Sequence, residues 1–189
     1  MLSKISAFIL KLLGWEIVGQ WPDVKKFVLI VIPHTSNWDF PYGILIRSAM
    51  KRDIKYAAKD SLFKSPLGRF FYWTGGVPVD RSKNNNFVDA VVQIFNEREE
   101  FALCMSPEGT RQKVDKLKTG FYYIAKGAKA PIVMLQYNFG IRKFVVSEPF
   151  YTTDDKEADF AFIYDFFRGV KGFNPKNQWT HPDDRVPQS

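Results

Sequence analysis

Short apolar runs bounded by turn residues recur along this chain at 27–32, 54–58, 76–79, 101–105, 131–137 and 144–146, with segments of helical periodicity between them. Runs of this length read as buried strands rather than helices. The intervening segments place apolar residues at helical spacing over Phe40 to Met50, over Leu117 to Lys129 and over Asp159 to Val170. A further helix carries Val88, Val91, Val92 and Phe95; Asn86 is suited to cap it, and it ends among Glu97, Arg98, Glu99 and Glu100. Strands alternating with helices predict an α/β fold: a single domain with a largely parallel or mixed central sheet flanked by helices. At 189 residues the chain buries an adequate core without disulfide or metal support. In such a domain ligands bind beyond the carboxyl ends of the strands.

Residues 1–15 stand apart. On a helical wheel Leu2, Ile5, Phe8, Ile9, Leu12 and Leu13 share one broad arc, with Lys4 and Lys11 at one margin and Trp15 just after. The pattern suits an interfacial helix lying among lipid headgroups, and equally a first helix packed on its own domain. No run approaches the ~18 to 20 apolar residues of a spanning helix, and no small-residue cleavage site follows the segment as in a signal peptide. The domain is expected over 16–173. Residues 174–189, with Pro175, Pro182 and Pro187, read as an irregular tail in which His181 is solvated.

Composition narrows the partners. A hydrophobic share of 46% that includes 18 phenylalanines is too apolar for a disordered chain and predicts a Phe-rich core. The lone Cys104, inside an apolar run, excludes an intramolecular disulfide and fits a reducing compartment. A formal charge of +7 asks for an anionic partner: phosphate headgroups, a phosphorylated co-substrate or nucleic acid. Nucleic acid is disfavoured, because most of the aromatics sit in apolar runs rather than on a basic face.

The chemistry concentrates in two polar blocks, each just after an apolar run. The first is Pro33-His34-Thr35-Ser36-Asn37-Trp38-Asp39. Imidazole shuttles protons near neutral pH, and a carboxylate on its second nitrogen fixes the tautomer and stabilises the cation. Along a strand His34 and Asp39 would lie about 17 Å apart, and in a regular helix about 140° apart around the axis. The chain must therefore turn between them. Thr35, Ser36 and Asn37 suit a turn, and Pro41 suits the first turn of a following helix. With no nucleophile motif in the sequence, a His34 base would act on a hydroxyl or amine brought by the substrate. Taken alone, the block also fits a capped helix start with an incidental histidine.

The second block, Pro107-Glu108-Gly109-Thr110-Arg111, offers a glycine for close backbone approach, a hydroxyl and a guanidinium able to grip phosphate bidentately. Gly75-Gly76-Val77-Pro78-Val79-Asp80-Arg81 adds a second arginine. Lys83, Lys113, Lys116 and Lys118 raise the local positive potential.

In order and separation, these blocks and the run at 131–133 match four acyltransferase motifs, and over residues 27 to 136 the chain resembles the glycerolipid acyltransferase family that includes 1-acylglycerol-3-phosphate acyltransferases. The resemblance implies His34 as general base, Asp39 as its orienting carboxylate, and an acyl thioester of coenzyme A or acyl carrier protein as donor. It implies that Arg81, Glu108, Gly109, Thr110 and Arg111 bind the phosphate of a lysolipid acceptor or shape its site. Trp38, between the two catalytic groups, is read either as a wall of the acyl channel or as a cover on the core, with the channel preferred. No metal and no cofactor beyond the thioester co-substrate is expected, and the absence of a Cys/His cluster agrees. The expected setting is the cytoplasmic side of a membrane surface, with peripheral attachment. Ser106, Gln112 and Met134 depart from the family's pattern, which leaves the acyl and acceptor preferences open. Two other readings share these residues: acylation of a different lipid acceptor, such as an amino-acid-derived lysolipid or a lipid glycan precursor, and a non-catalytic anionic-lipid-binding protein. The intact His34 and Asp39 argue against the last.

Overall fold

The computed structural model of the chain describes residues 2–79 and 84–185. The elements run α1 (Leu2–Leu12), β1 (Glu16–Val18), β2 (Lys26–Ile32), α2 (Asp39–Ala49), β3 (Ile54–Lys59), α3 (Asp60–Phe63), α4 (Gly68–Trp73) and β4 (Gly76–Val79). They continue α5 (Asn84–Glu97), β5 (Phe101–Met105), α6 (Gly120–Ala128), β6 (Ile132–Asn138), β7 (Lys143–Val146) and α7 (Lys156–Phe166), followed by two 3-10 turns at Pro175–Asn177 and Pro182–Asp184. Seven strands form one sheet in the order β1-β7-β6-β2-β5-β3-β4. Its neighbours are parallel except for β6 with β7, so the sheet is mixed, and all six apolar runs of the sequence are strands of it.

Position in the sheet explains composition. β2 lies between β5 and β6 and is buried on both faces, and its sequence, KFVLIVI, is continuously apolar. Alternate residues serve two cores. Val28, Ile30 and Ile32 face α5, α6 and α7, where Phe95, Phe121, Ile124 and Ile163 pack. Phe27, Leu29 and Val31 face the side that holds Leu10 of α1 and Ile46 of α2. Each fully buried Phe, such as Phe95 edge-on against Phe101, contributes roughly 1.5 to 3 kcal/mol through burial.

Some expectations needed correction. The three-residue β1 escaped notice because it is too short to show alternation. Trp15 is not an interfacial anchor: it is buried and stacks on Phe144 at 4.3 Å. Helix α5 begins at Asn84, so Asn86 lies within it rather than capping it. Helix α6 begins at Gly120, because Leu117 and Lys118 run alongside the second polar block, where the Lys118 N–H donates to the Pro107 carbonyl at 2.8 Å. Helix α7 starts at Lys156, where the carboxylate of Asp155 caps it by accepting from the Ala158 N–H at 3.0 Å. Cys104 lies inside β5 as expected, with burial pushing its thiol up to about 12.

The tail is irregular but not loose. Trp179 is buried against Tyr164. His181 is buried too, not solvated: its Nδ1 accepts from the Asp183 N–H at 3.2 Å and its Nε2 lies 3.5 Å from an Asp165 oxygen. Arg168, at the end of α7, is held by Asp165, Asp183 and Asp184 and clamps the last turn in place.

Candidate active site

Strands β2 and β5 are parallel neighbours with Ile30 opposite Met105, so the chain leaves both strands at the same edge of the sheet. From β2 it runs to α2 on one face, and from β5 to α6 on the other. In open α/β sheets, loops that diverge to opposite faces at the carboxyl ends of the strands are where ligand sites form. His34 stands two residues beyond β2 and Glu108 three beyond β5, which explains how blocks about 70 residues apart in sequence build one site.

The turn required between His34 and Asp39 is present. Asp39 opens α2, and its Oδ2 lies 3.0 Å from His34 Nδ1. The same oxygen accepts the Thr35 N–H at 2.8 Å and the Ser36 N–H at 3.0 Å, so one carboxylate closes the loop and orients the imidazole. Asp39 is only 4% exposed. With Nδ1 committed to Asp39, Nε2 is the nitrogen left for substrate chemistry. His34 keeps about a quarter of its side chain exposed (26%). Trp38, the residue before Asp39, is 58% exposed and so does not cover the core.

Glu108 faces inward rather than towards a ligand. It is 2% exposed, and each of its carboxylate oxygens accepts a backbone N–H: Oε2 from His34 at 2.5 Å and Oε1 from Trp179 at 3.2 Å. Burial raises its pKa to about 7, against the lowering effect of the two N–H donors. In this arrangement Glu108 shapes the site by holding the His34 loop.

The rest of the second block turns outward. Gly109 has a φ of +65°, which favours glycine, and a Cβ there would lie 2.9 Å from Lys118 Nζ. The Lys118 side chain therefore crosses directly over Gly109. Thr110 and Arg111 are exposed, and Thr110 Oγ1 accepts the Gln112 N–H at 3.3 Å. Among the described residues no carboxylate engages Arg111, and Lys113 and Lys116 are exposed nearby in sequence. Ser106, where the sequence departs from the family's pattern, has a buried hydroxyl with no hydrogen-bond partner among the described residues. Arg81 and Lys83 lie outside the described residues.

One part of the site had no motif to announce it. The segment after α7 returns over both loops. The Asn174 N–H donates to Thr35 Oγ1 at 3.0 Å, Gly172 passes so close to Thr35 that a Cβ would lie 2.7 Å from that hydroxyl, and the Trp179 N–H reaches Glu108. Arg185 donates to the Asp115 carbonyl and ties the same segment to the basic loop. The available signal was Trp179, a large ring in an otherwise polar, proline-containing tail.

A buried acid set against a quarter-exposed histidine, beside a glycine loop rimmed with cations, is an arrangement suited to proton transfer next to an anionic group. The sequence model of the Acyltransferase family matches residues 16–137, and the chain belongs to that family. Among curated relatives it is similar to human 1-acyl-sn-glycerol-3-phosphate acyltransferase beta, with 27% identity over 130 residues, 66% of this chain and 46% of that protein. It thus spans a little under half the length of that relative. Among solved structures it is similar in fold to the 1-acyl-sn-glycerophosphate (LPA) acyltransferase PlsC of Thermotoga maritima, at a TM-score of 0.59 and 17% identity over 87% of this chain and 74% of the other.

Proposed function

We propose that the protein transfers a fatty acyl group from a thioester to the hydroxyl of a lysophospholipid of the 1-acylglycerol-3-phosphate kind. The observation that carries this reading is the pair His34 Nδ1 and Asp39 Oδ2 at 3.0 Å, just beyond the carboxyl end of β2 in a chain of the Acyltransferase family. His34 Nε2 takes the proton of the acceptor hydroxyl as its oxygen attacks the thioester carbonyl. The tetrahedral oxyanion then collapses, the carbon–sulfur bond breaks, and the imidazolium returns the proton to the departing thiolate. Asp39 stabilises the imidazolium between these steps. In this reading the oxyanion is stabilised by hydrogen-bond donors of the loops at the strand ends. The chemistry is the same whether coenzyme A or acyl carrier protein bears the thioester.

In this reading Gly109, Thr110 and Arg111, with Lys118 above the glycine and Arg81 from the Gly75-Gly76 segment, receive the acceptor's phosphate. Trp38 lies where an acyl chain would pass. The test is direct: purified protein, labelled acyl thioester and a panel of lysolipids, with acylated lipid as the product measured. A phosphate-free acceptor used as well as a phosphorylated one would overturn the assignment of the acceptor. Arg111→Ala is expected to raise the apparent KM for the phosphorylated acceptor about tenfold or more, with little change in kcat, since a hydrogen bond to a charged group contributes about 1.5 to 3 kcal/mol. An unchanged KM would remove Arg111 from the phosphate site.

The same reading includes a peripheral seat on the cytoplasmic side of a membrane. Among the described residues no helix is long and apolar enough to cross one. Helix α1 supports an interfacial role while also packing on the domain: Ser6 donates to Ser48 of α2 at 2.9 Å and Leu10 is buried, whereas Leu2, Ile5, Phe8 and Leu12 point outward. The wheel's apolar arc is therefore mostly the outward one, with the exposed Lys4 and Lys11 at its margin. Phe8→Glu with Leu12→Glu is expected to weaken sedimentation with anionic vesicles on the order of tenfold, since both side chains are exposed and the fold does not need them. Equal sedimentation would assign α1 to packing alone.

A further inference from the structure

The connection between β3 and β4 carries apolar surface that is exposed among the described residues. In α3, α4 and the residue before α4, Leu62, Leu67, Phe70, Tyr72 and Trp73 are all exposed, and Trp73 is 79% exposed. Phe63, Gly68 and Phe71 are less exposed, and the rings of Phe63 and Phe71 pack edge to face. A contiguous group of this size on a globular protein marks a place of contact. Its composition is specific: two large aromatics with polar edges, Tyr72 and Trp73, beside Leu67 and Phe70, with exposed Arg69 and Lys64 among them. That combination suits the boundary between headgroups and acyl chains, where amphipathic rings and basic side chains both find favourable surroundings.

Location adds a second argument. Phe40, the residue after the catalytic carboxylate, packs against Phe70 at 6.3 Å and Phe71 at 6.1 Å between ring centroids, so α4 sits against the first turn of α2. The exposed Trp38 precedes that turn. Helix α2 also carries α1, whose outward face is apolar, so the two uncovered apolar surfaces rest on the same catalytic helix. A formal charge of +7 complements an anionic bilayer and opposes close contact between two copies of the chain.

We propose that α3 and α4 form a second membrane contact, seating Leu67, Phe70, Tyr72 and Trp73 in the interface of an anionic bilayer beside the mouth of the site. It rests on the reading of the protein as a lysolipid acyltransferase, and it accounts for how an acceptor with its tail in a leaflet reaches His34 without leaving the lipid. Lipid contact at this surface is distinct from that of α1, and the two differ in variants that can be made separately.

The experiment uses the full chain with vesicles of phosphatidylglycerol and phosphatidylcholine whose acyl chains are brominated at defined depths. Tryptophan emission is expected to be quenched on binding, most strongly by shallow bromines, and Trp73→Phe should remove the larger part of that quenching. Leu67→Glu with Trp73→Glu should weaken vesicle partitioning on the order of tenfold and lower turnover of vesicle-borne lysolipid similarly, while turnover of a soluble short-chain acceptor stays unchanged. Unquenched Trp73 in vesicle-bound protein, partitioning equal to wild type in the double variant, or a dimer in sedimentation that the double variant breaks would each overturn the proposal. Failure of the wild type to acylate any lysolipid, soluble or vesicle-borne, would instead overturn the reading beneath it.

Discussion

His34→Ala is expected to lower kcat about 10³-fold or more while leaving the unfolding midpoint within a few degrees of wild type. The size follows from the proposed role: a positioned general base contributes roughly 10²- to 10⁴-fold, and the second histidine of the chain, His181, is buried within the C-terminal segment. The small effect on stability follows from the loop's construction. Asp39 still accepts the Thr35 and Ser36 N–H groups, and Glu108 still holds the residue-34 backbone, so the turn keeps its closure without the imidazole. Thiol release from the acyl thioester, measured at saturating lysolipid, reads the loss, and circular dichroism reads the fold. Undiminished turnover would sink the base assignment and return the site to a binding role.

How much of this arrangement was legible in the sequence depends on the distance over which each part is specified. The strands were visible because β2, β5 and β6 are buried on both faces, and only a continuous apolar run satisfies that position. The turn between His34 and Asp39 was legible from geometry alone, since neither a strand nor a helix lets the two meet. The direction of Glu108 was not. Its two partners are backbone N–H groups, one about 70 residues before it and one about 70 after, and a backbone donor leaves no trace in residue identity. The C-terminal segment was missed for a related reason: Gly172, Asn174 and Trp179 reach the site through main-chain groups and close approach, while their side chains read as those of any loop. Helices α3 and α4 are short and lack an apolar stripe facing one side, because much of their apolar surface faces outward.

Glu108→Gln should separate the carboxylate's charge from its shape. An ionised Glu108 accepts from His34 and Trp179 at once; a glutamine of the same size has one carbonyl oxygen and must turn its amide NH2 towards one of those N–H groups. Either choice moves the His34 loop or releases the C-terminal segment, and a misplacement of about 1 Å at a catalytic group costs on the order of 10²-fold, which is the fall expected in kcat/KM. Stability should respond with a different dependence on pH. Burial raises the Glu108 pKa from its ordinary 4.5 to about 7, so the folded protein holds this proton more tightly than the unfolded chain does. Folding then carries no penalty from Glu108 below pH 4.5, acquires one progressively as pH rises from 4.5 to about 7, and bears it fully above. The stability of wild type relative to E108Q should accordingly fall by roughly 3 kcal/mol across that window, opposite in sign to the usual carboxylate held by cations. Urea unfolding of both proteins at intervals from pH 4.5 to 8 measures it, and a difference that stays constant with pH would mean that Glu108 is ionised in the fold throughout and that its clamp on His34 does not work against its burial.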